Sequence, residues 1–396
     1  MAWIKKPSSI AFWIMPLTVA LVAFGFAHII SRVANCYGWW DWCWSRWDSG
    51  YYLEISRIGH TLRHCGIDDH YPTGSLEWCG NAGWAPLYSL LIYLLSLVTG
   101  WENEVSGIVI SRACFLAFLY VNALILNVRS FAVSNWLTLF LCAICPGGIY
   151  FFSIFPISIT ILGISIIFFG IQTKKYFPAG IAAYGVAVSY SSSIVFLFCL
   201  GLYIALLFIV NHPWLLGKTK RPILNETKPP PLAKDVFLKV FVPGVLGLLS
   251  LYGYDLWVTG HWNAMYLIQG KYGHGLSNPL RHLAHYWQIV TSNLPSKVSW
   301  TELQNIVFFF LVLVLTYKVI KGRYGLFLLG GIYLLCMWYI PFSLGTNVSL
   351  WRSIGLLAPA FVYLHPLRPL QKLGLLIVFG VFYYFMGLLF IKSVIH

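Results

Sequence analysis

Apolar runs of about 20 residues recur along the whole of this 396-residue chain, and they leave few folds open. Each is long enough to cross a hydrocarbon layer of about 30 Å as a helix. Within lipid the backbone must satisfy its own hydrogen bonds, so only helices or a closed barrel can span it. The runs are continuously apolar rather than alternating, which is not the pattern of a barrel strand. Only 10% of the residues are charged and 59% are hydrophobic, against about a quarter charged in a soluble domain. The expected fold class is an all-α polytopic membrane protein.

Candidate helices lie near 10–30, 84–99, 107–127, 133–149, 155–172, 178–210, 236–258, 303–320, 324–343, 351–366 and 373–392. The first follows Lys5 and Lys6. It is too long for a signal-peptide core and lacks a small-x-small cleavage pattern, so it reads as a retained helix starting in the cytoplasm. The formal charge of +14 follows the positive-inside rule rather than a nucleic-acid footprint. Basic residues gather in short loops: Lys218, Lys220, Arg221, Lys228 and Lys234; Lys318, Lys321 and Arg323; Arg368 and Lys372. Residues 212–235 form a Pro-rich, basic, cytoplasmic linker between membrane halves 1–211 and 236–396. With the C-terminus outside, eleven crossings fit in two ways. Either 84–99 crosses fully and 178–210 is one helix, or 84–99 is re-entrant and 178–210 bends into two. Two long segments, 31–83 and 259–302, then face outward.

The first outward segment carries six of the twelve acidic residues, Asp41, Asp48, Glu54, Asp68, Asp69 and Glu77. Acidic residues contribute little to topology, so their concentration there points to chemistry or solvation. It also carries Cys36, Cys43, Cys65 and Cys79, which permit three pairings in an oxidising compartment; Cys65 and Cys79 would close a small loop, and free thiols stay open. Trp44, Trp47, Tyr51, Ile55 and Ile58 share one helical face, so 44–58 reads as an interfacial helix with Asp48, Tyr52 and Ser56 on another face. On pattern alone Asp48 is equally well a solvated residue beside an aromatic anchor. N-A-G-W-A-P-L-Y-S (81–89) reads as a dive back from the surface, with Tyr88 at its foot. T-G-H-W-N-A-M-Y-L-I-Q-G-K-Y (259–272) opens the second outward segment, with His261, Gln269 and Lys271 among aromatics; the plain reading is another surface-resting stretch. S-L-W-R-S-I-G-L-L-A-P (349–359) puts Arg352 at the outer end of a late helix, where an arginine is disfavoured unless it snorkels or meets an anion such as phosphate.

Together these motifs resemble the PIG-V family, that of GPI mannosyltransferase 2 and its bacterial relatives. R-W-D-S-G-Y-Y-L-E-I-S-R-I-G-H resembles the family's R-W-D-x-x-[WY]-Y-x-x-I-A-x-x-G-Y, and W-A-P-L-Y its F-F-P-L-Y. T-G-H-W-N-A-M-Y is similar to T-G-D-P-x-A-F, and Arg352…Pro359 to a late S-x-x-R-Y…F-P. The resemblance runs in order from 45 to 360. It departs where the family has Tyr-Ser-Glu-Ser, here Phe155-Pro156-Ile157-Ser158, and where it has Arg-Pro-x-Gly, here Tyr190-Ser191-Ser192-Ser193.

The resemblance implies a GT-C-like bundle of about 11 transmembrane helices with an outward catalytic loop after the first. It implies transfer of a sugar, mannose in the family's named member, from a polyprenyl-phosphate donor to a glycolipid, glycan or protein acceptor, on the extracytoplasmic side. Membrane lipids are the other partners, with no nucleic acid, no cofactor and no obligatory metal. A metal between Asp48 and Asp68 or Asp69 stays open. Asp48 is the expected base, and Arg352, aided by Lys271 or Arg46, the expected phosphate-binding cation. Trp47, Tyr52, Tyr88 and His261 are the candidate sugar contacts. Inversion is expected, because no second nucleophile is evident. The chain's length is closer to the bacterial relatives, which favours a plasma (inner) membrane over the endoplasmic reticulum. The alternative is a non-catalytic carrier-binding protein, flippase or transporter on the same scaffold. A transporter needs ionisable residues within the membrane, and Asp255 and Arg112 are the main candidates.

Overall fold

The computed structural model describes residues 9–40, 42–69, 75–211, 232–270, 272, 275–293, 297–321, 326–345 and 350–392. Most of linker 212–235 lies outside the described residues, as do Asp41, Lys271 and the side chain of Asp68. The chain is an all-α membrane protein, with one small β-hairpin among the described residues. Helix α1 (Ile10–Val33) opens at Ser9, whose hydroxyl accepts the Phe12 amide. Segment 31–83 then supplies α2 (Ser49–Ile58) and antiparallel strands β1 (Leu62–His64) and β2 (Trp78–Gly80). Helices α3 (Leu87–Thr99), α4 (Asn103–Ile125) and α5 (Val133–Ala143) follow.

Three of the expected long helices are interrupted, each for a local reason. The 133–149 run ends as α5 because Pro146 has no amide to donate and forces Cys145 to be extended (φ −94°, ψ 157°); the chain continues as a 3-10 turn, Pro146–Phe151. After α6 (Ile157–Thr173), the 178–210 run divides into α7 (Tyr176–Ala187) and α8 (Ser193–Asn211). There the Ser189 hydroxyl donates to the Val186 carbonyl at 2.9 Å and meets the Thr160 hydroxyl at 2.9 Å, so the serines replace helical bonds. The 351–366 run becomes α15 (Leu350–Leu356) and a 3-10 turn, Ala358–Leu364, at Pro359.

Between them α9 (Ala233–Val236) passes through a π turn, Phe237–Phe241, into α10 (Val242–Thr259). Segment 259–302 holds α11 (Ala264–Gly270) and α12 (Pro279–Asn293) and leads into α13 (Lys297–Lys321), followed by α14 (Leu326–Ser343). The final helix is α16 (Pro369–Ile391). Among the described residues, five helices are long and apolar enough to cross a membrane: α1, α4, the continuous Ala233–Thr259 helix, Trp300–Lys321 within α13, and α16. The shorter apolar helices pack among them. Helix α6 lies between α4 and α7, α7 lies against α10, and α16 packs on α1, α5 and the Pro146–Phe151 turn.

Segment 31–83 is tied in place at several points. Disulfides join Cys36 to Cys43 and Cys65 to Cys79, the second across the hairpin end where His64 pairs with Trp78. Three-residue strands are marginal alone, and the crosslink beside them holds the hairpin. Arg57 of α2 pairs with Glu104 at 2.7 Å, and Asn103 donates to the Ser56 hydroxyl at 2.9 Å. His60 meets Asp255 of α10 at 2.8 Å with both side chains fully buried.

Candidate active site

The expected helix 44–58 begins only at Ser49, because Trp47 adopts a left-handed conformation with φ 53°. That region is costly for a bulky residue, and it turns the chain sharply just before Asp48. Trp44 sits in a 3-10 turn (Trp42–Trp44) and is fully buried. The face of α2 that packs inward carries Tyr52, Ile55 and Ser56, so α2 is set into the protein rather than resting on a surface. The turn is anchored from behind. The Ser49 hydroxyl donates to the Ile154 carbonyl at 3.0 Å and accepts the Arg46 amide at 3.0 Å, and the Ile154 amide donates to the Trp44 carbonyl at 2.9 Å.

Asp48 occupies the N-cap position of α2, yet its carboxylate makes no capping bond. It turns instead to Arg352 of α15, 304 residues away, and forms an ion pair. The two side chains are 22% and 14% exposed, so the pair is neither surface-screened nor sealed. The depth of Arg352 is set by a glycine contact. A Cβ on Gly147 would lie 2.4 Å from the Gly355 amide nitrogen and 2.6 Å from the Trp351 carbonyl, so only glycine lets α15 seat this closely.

An aromatic wall surrounds the pair. The Arg352 guanidinium lies over Phe155, 5.8 Å from the ring centre. The Trp351 indole donates to the Tyr150 hydroxyl at 2.5 Å, and Tyr150 packs edge-on to Phe155 and Phe390. Tyr190, at the α7–α8 break, is close enough for the charges of both Arg352 and Asp48 to act on its phenol. Burial pushes the Tyr52 phenol well above the usual tyrosine range, with Tyr190 and Asp48 adding in the same sense, so it stays protonated.

The other candidates fall in different places. The Arg46 guanidinium donates to the Ile391 carbonyl at 2.7 Å, at the C-terminal end of α16, where a cation suits the helix dipole. Tyr88 is fully buried, its hydroxyl donating to the Gly107 carbonyl at 2.8 Å and meeting the Ser111 hydroxyl at 2.7 Å. His261 is exposed and packs edge-on against Trp78 of the hairpin. Trp47 is partly buried beside Asp48. Lys271 lies outside the described residues. Asp69 does not join Asp48: both its oxygens are held by Arg63, and one also accepts the Gly66 amide.

A scan against protein-family models finds no match to this chain, and a search of curated proteins finds none. The functional reading therefore rests on the site's own chemistry. Both stretches that depart from the resembled family come to this site, Phe155 beneath Arg352 and Tyr190 beside the pair. Tyr150 and Trp351 were not singled out from sequence. Within apolar runs, nothing about their spacing separates them from core aromatics.

Proposed function

We propose that the chain is a membrane-embedded glycosyltransferase of the GT-C kind, related to the PIG-V family, that uses a polyprenyl-phosphate sugar. The observation that carries this reading is the convergence of Asp48 and Arg352 from opposite ends of the sequence. A carboxylate beside an arginine supplies both groups the reaction needs. The acceptor hydroxyl attacks the anomeric carbon, and Asp48 takes its proton. The C–O bond to the lipid phosphate breaks, its electron pair stays on the phosphate, and Arg352 neutralises that charge.

The ion pair suits this sequence of events. Arg352 holds the Asp48 carboxylate in place at the site. A donor phosphate that engages Arg352 competes with the carboxylate and frees it to accept a proton. Among the described residues no second nucleophile stands beside Asp48, and the reading takes the transfer as inverting. Trp351 and Tyr190, both partly buried beside the pair, supply an aromatic face and a hydroxyl for the sugar.

In this reading the site faces the extracytoplasmic side of a plasma membrane, and the acceptor is a glycolipid, glycan or protein. Helix α3 spans 13 residues, about 20 Å, short of the hydrocarbon thickness of about 30 Å. The Arg57–Glu104 pair ties α2 to the first turn of α4, just after α3 ends. Both favour the arrangement of about 11 crossings in which α3 is re-entrant and the α7–α8 run counts twice. The test is donor binding against turnover: Arg352→Gln weakens polyprenyl-phosphate binding, whereas Asp48→Asn keeps binding and loses transfer. Equal donor binding by Arg352→Gln and the unaltered protein would sink the assignment of Arg352.

A further inference from the structure

Arg112 is unexplained by the proposed reaction. It lies nine residues into α4, about 13 Å along the helix, where the dipole of the helix end no longer matters. Its guanidinium is 4.5 Å from the centre of the Phe24 ring, 4.9 Å from Trp40 and 5.5 Å from Trp44. One Nη donates to the Trp39 carbonyl at 2.8 Å, while Nε is buried without a partner. On the other side of Trp39, its ring stacks on His28 at 4.3 Å. Arg32 donates through Nε to His28 Nε2 at 3.2 Å, which makes that imidazole neutral.

Two arginines thus flank Trp39, and among the described residues neither pairs with a carboxylate. Charge held in an apolar helix without a counter-ion is expensive, and rings alone compensate only part of it. Arg32, Tyr37, Trp39 and Trp40 are exposed at the end of α1, an aromatic girdle of the kind that sits at head-group level. Trp44 separates this cluster from the Asp48 turn, since its ring faces Arg112 and its carbonyl accepts the Ile154 amide behind Ser49.

We propose that Arg32 and Arg112 form a second binding site, for the phosphate ester of a membrane lipid head group. Guanidinium groups match phosphate oxygens in geometry as well as charge. The acyl chains would run along α1, whose outer face exposes Leu21, Val22 and Ile29. The site is separate from sugar transfer, and its test needs no turnover.

The experiment is native mass spectrometry of the full chain in detergent, titrated with phosphatidylglycerol and, separately, with an uncharged diacyl glycolipid. The unaltered protein retains one phosphatidylglycerol in preference to the glycolipid. Arg32→Gln, an exposed substitution that spares the fold, lowers that affinity about tenfold, and Arg112→Gln lowers it at least as much. Arg129→Gln, an exposed arginine elsewhere, leaves it unchanged. Inorganic phosphate at millimolar concentration does not displace the lipid; displacement would move the assignment from lipid to free anion and refute the lipid part. Equal retention by the unaltered protein and Arg32→Gln, or equal retention of the uncharged glycolipid, overturns the site.

Discussion

Removing Asp255 should unlatch segment 31–83 from the C-terminal half. His60 Nε2 lies 2.9 Å from the Trp84 carbonyl, which can only accept, so Nε2 carries a proton. The contact from Nδ1 to Asp255 at 2.8 Å then holds one more proton between imidazole and carboxyl. Both side chains are 0–1% exposed, and the second Asp255 oxygen is buried without a partner. For an ionic pair at that 2.8 Å separation, an effective dielectric constant of about 20 gives an attraction of about 6 kcal/mol. Desolvation offsets much of it, but breaking a buried pair by removing one partner costs about 3–5 kcal/mol. Asp255→Ala and His60→Ala should each destabilise by that amount. The double variant should cost less than their sum by about 2 kcal/mol or more. The assay is reversible unfolding in mixed micelles of increasing denaturing-detergent content, followed by tryptophan emission. Additive losses, with no coupling between the two sites, would refute the latch.

Gly147→Ala should abolish transfer while leaving the long helices intact, because the new methyl collides with the backbone at Gly355 and Trp351; circular dichroism with an activity assay checks both halves. Reducing the disulfides should destabilise the outward segment. The Cys65–Cys79 loop of 14 residues contributes about 3 kcal/mol in the chain-entropy account, so Cys65→Ser should raise proteolysis between residues 59 and 84, and unchanged cleavage would contradict it. Arg352→Lys keeps the charge but loses the planar fork. It should retain donor binding better than Arg352→Gln while remaining below the unaltered protein, a ranking readable by equilibrium binding of a polyprenyl phosphate.

The helices were legible because each apolar run is long, and hydropathy reports length well. Their breaks were less so. Pro146 and Pro359 are visible as helix breakers, but their position within apolar runs does not say whether the chain kinks or stops. The hairpin was hidden because strands of three residues carry no period, and a crosslink from Cys79 within β2 to Cys65 just past β1 holds them. The spacing of Trp44, Trp47, Tyr51, Ile55 and Ile58 suggests a longer helix than exists, since no propensity anticipates a tryptophan at positive φ. Asp48 and Arg352 were each recognisable as costly charges near apolar runs. That they meet is a matter of tertiary packing across 304 residues, which spacing cannot reveal. Asp255 and Arg112 stood out as ionisable residues in apolar runs; Asp255 meets a buried histidine, whereas the rings around Arg112 offset only part of its cost.

The central claim is that Asp48 is the base of a sugar transfer from a polyprenyl phosphate. The most direct measurement uses purified protein in nanodiscs with radiolabelled polyprenyl-phosphate sugars, scoring transfer to membrane acceptors with Asp48→Asn alongside. The account predicts transfer by the unaltered protein and a loss of about 10²- to 10⁴-fold in Asp48→Asn, with unfolding midpoint and donor binding retained. Transfer by Asp48→Asn at the unaltered rate would contradict it.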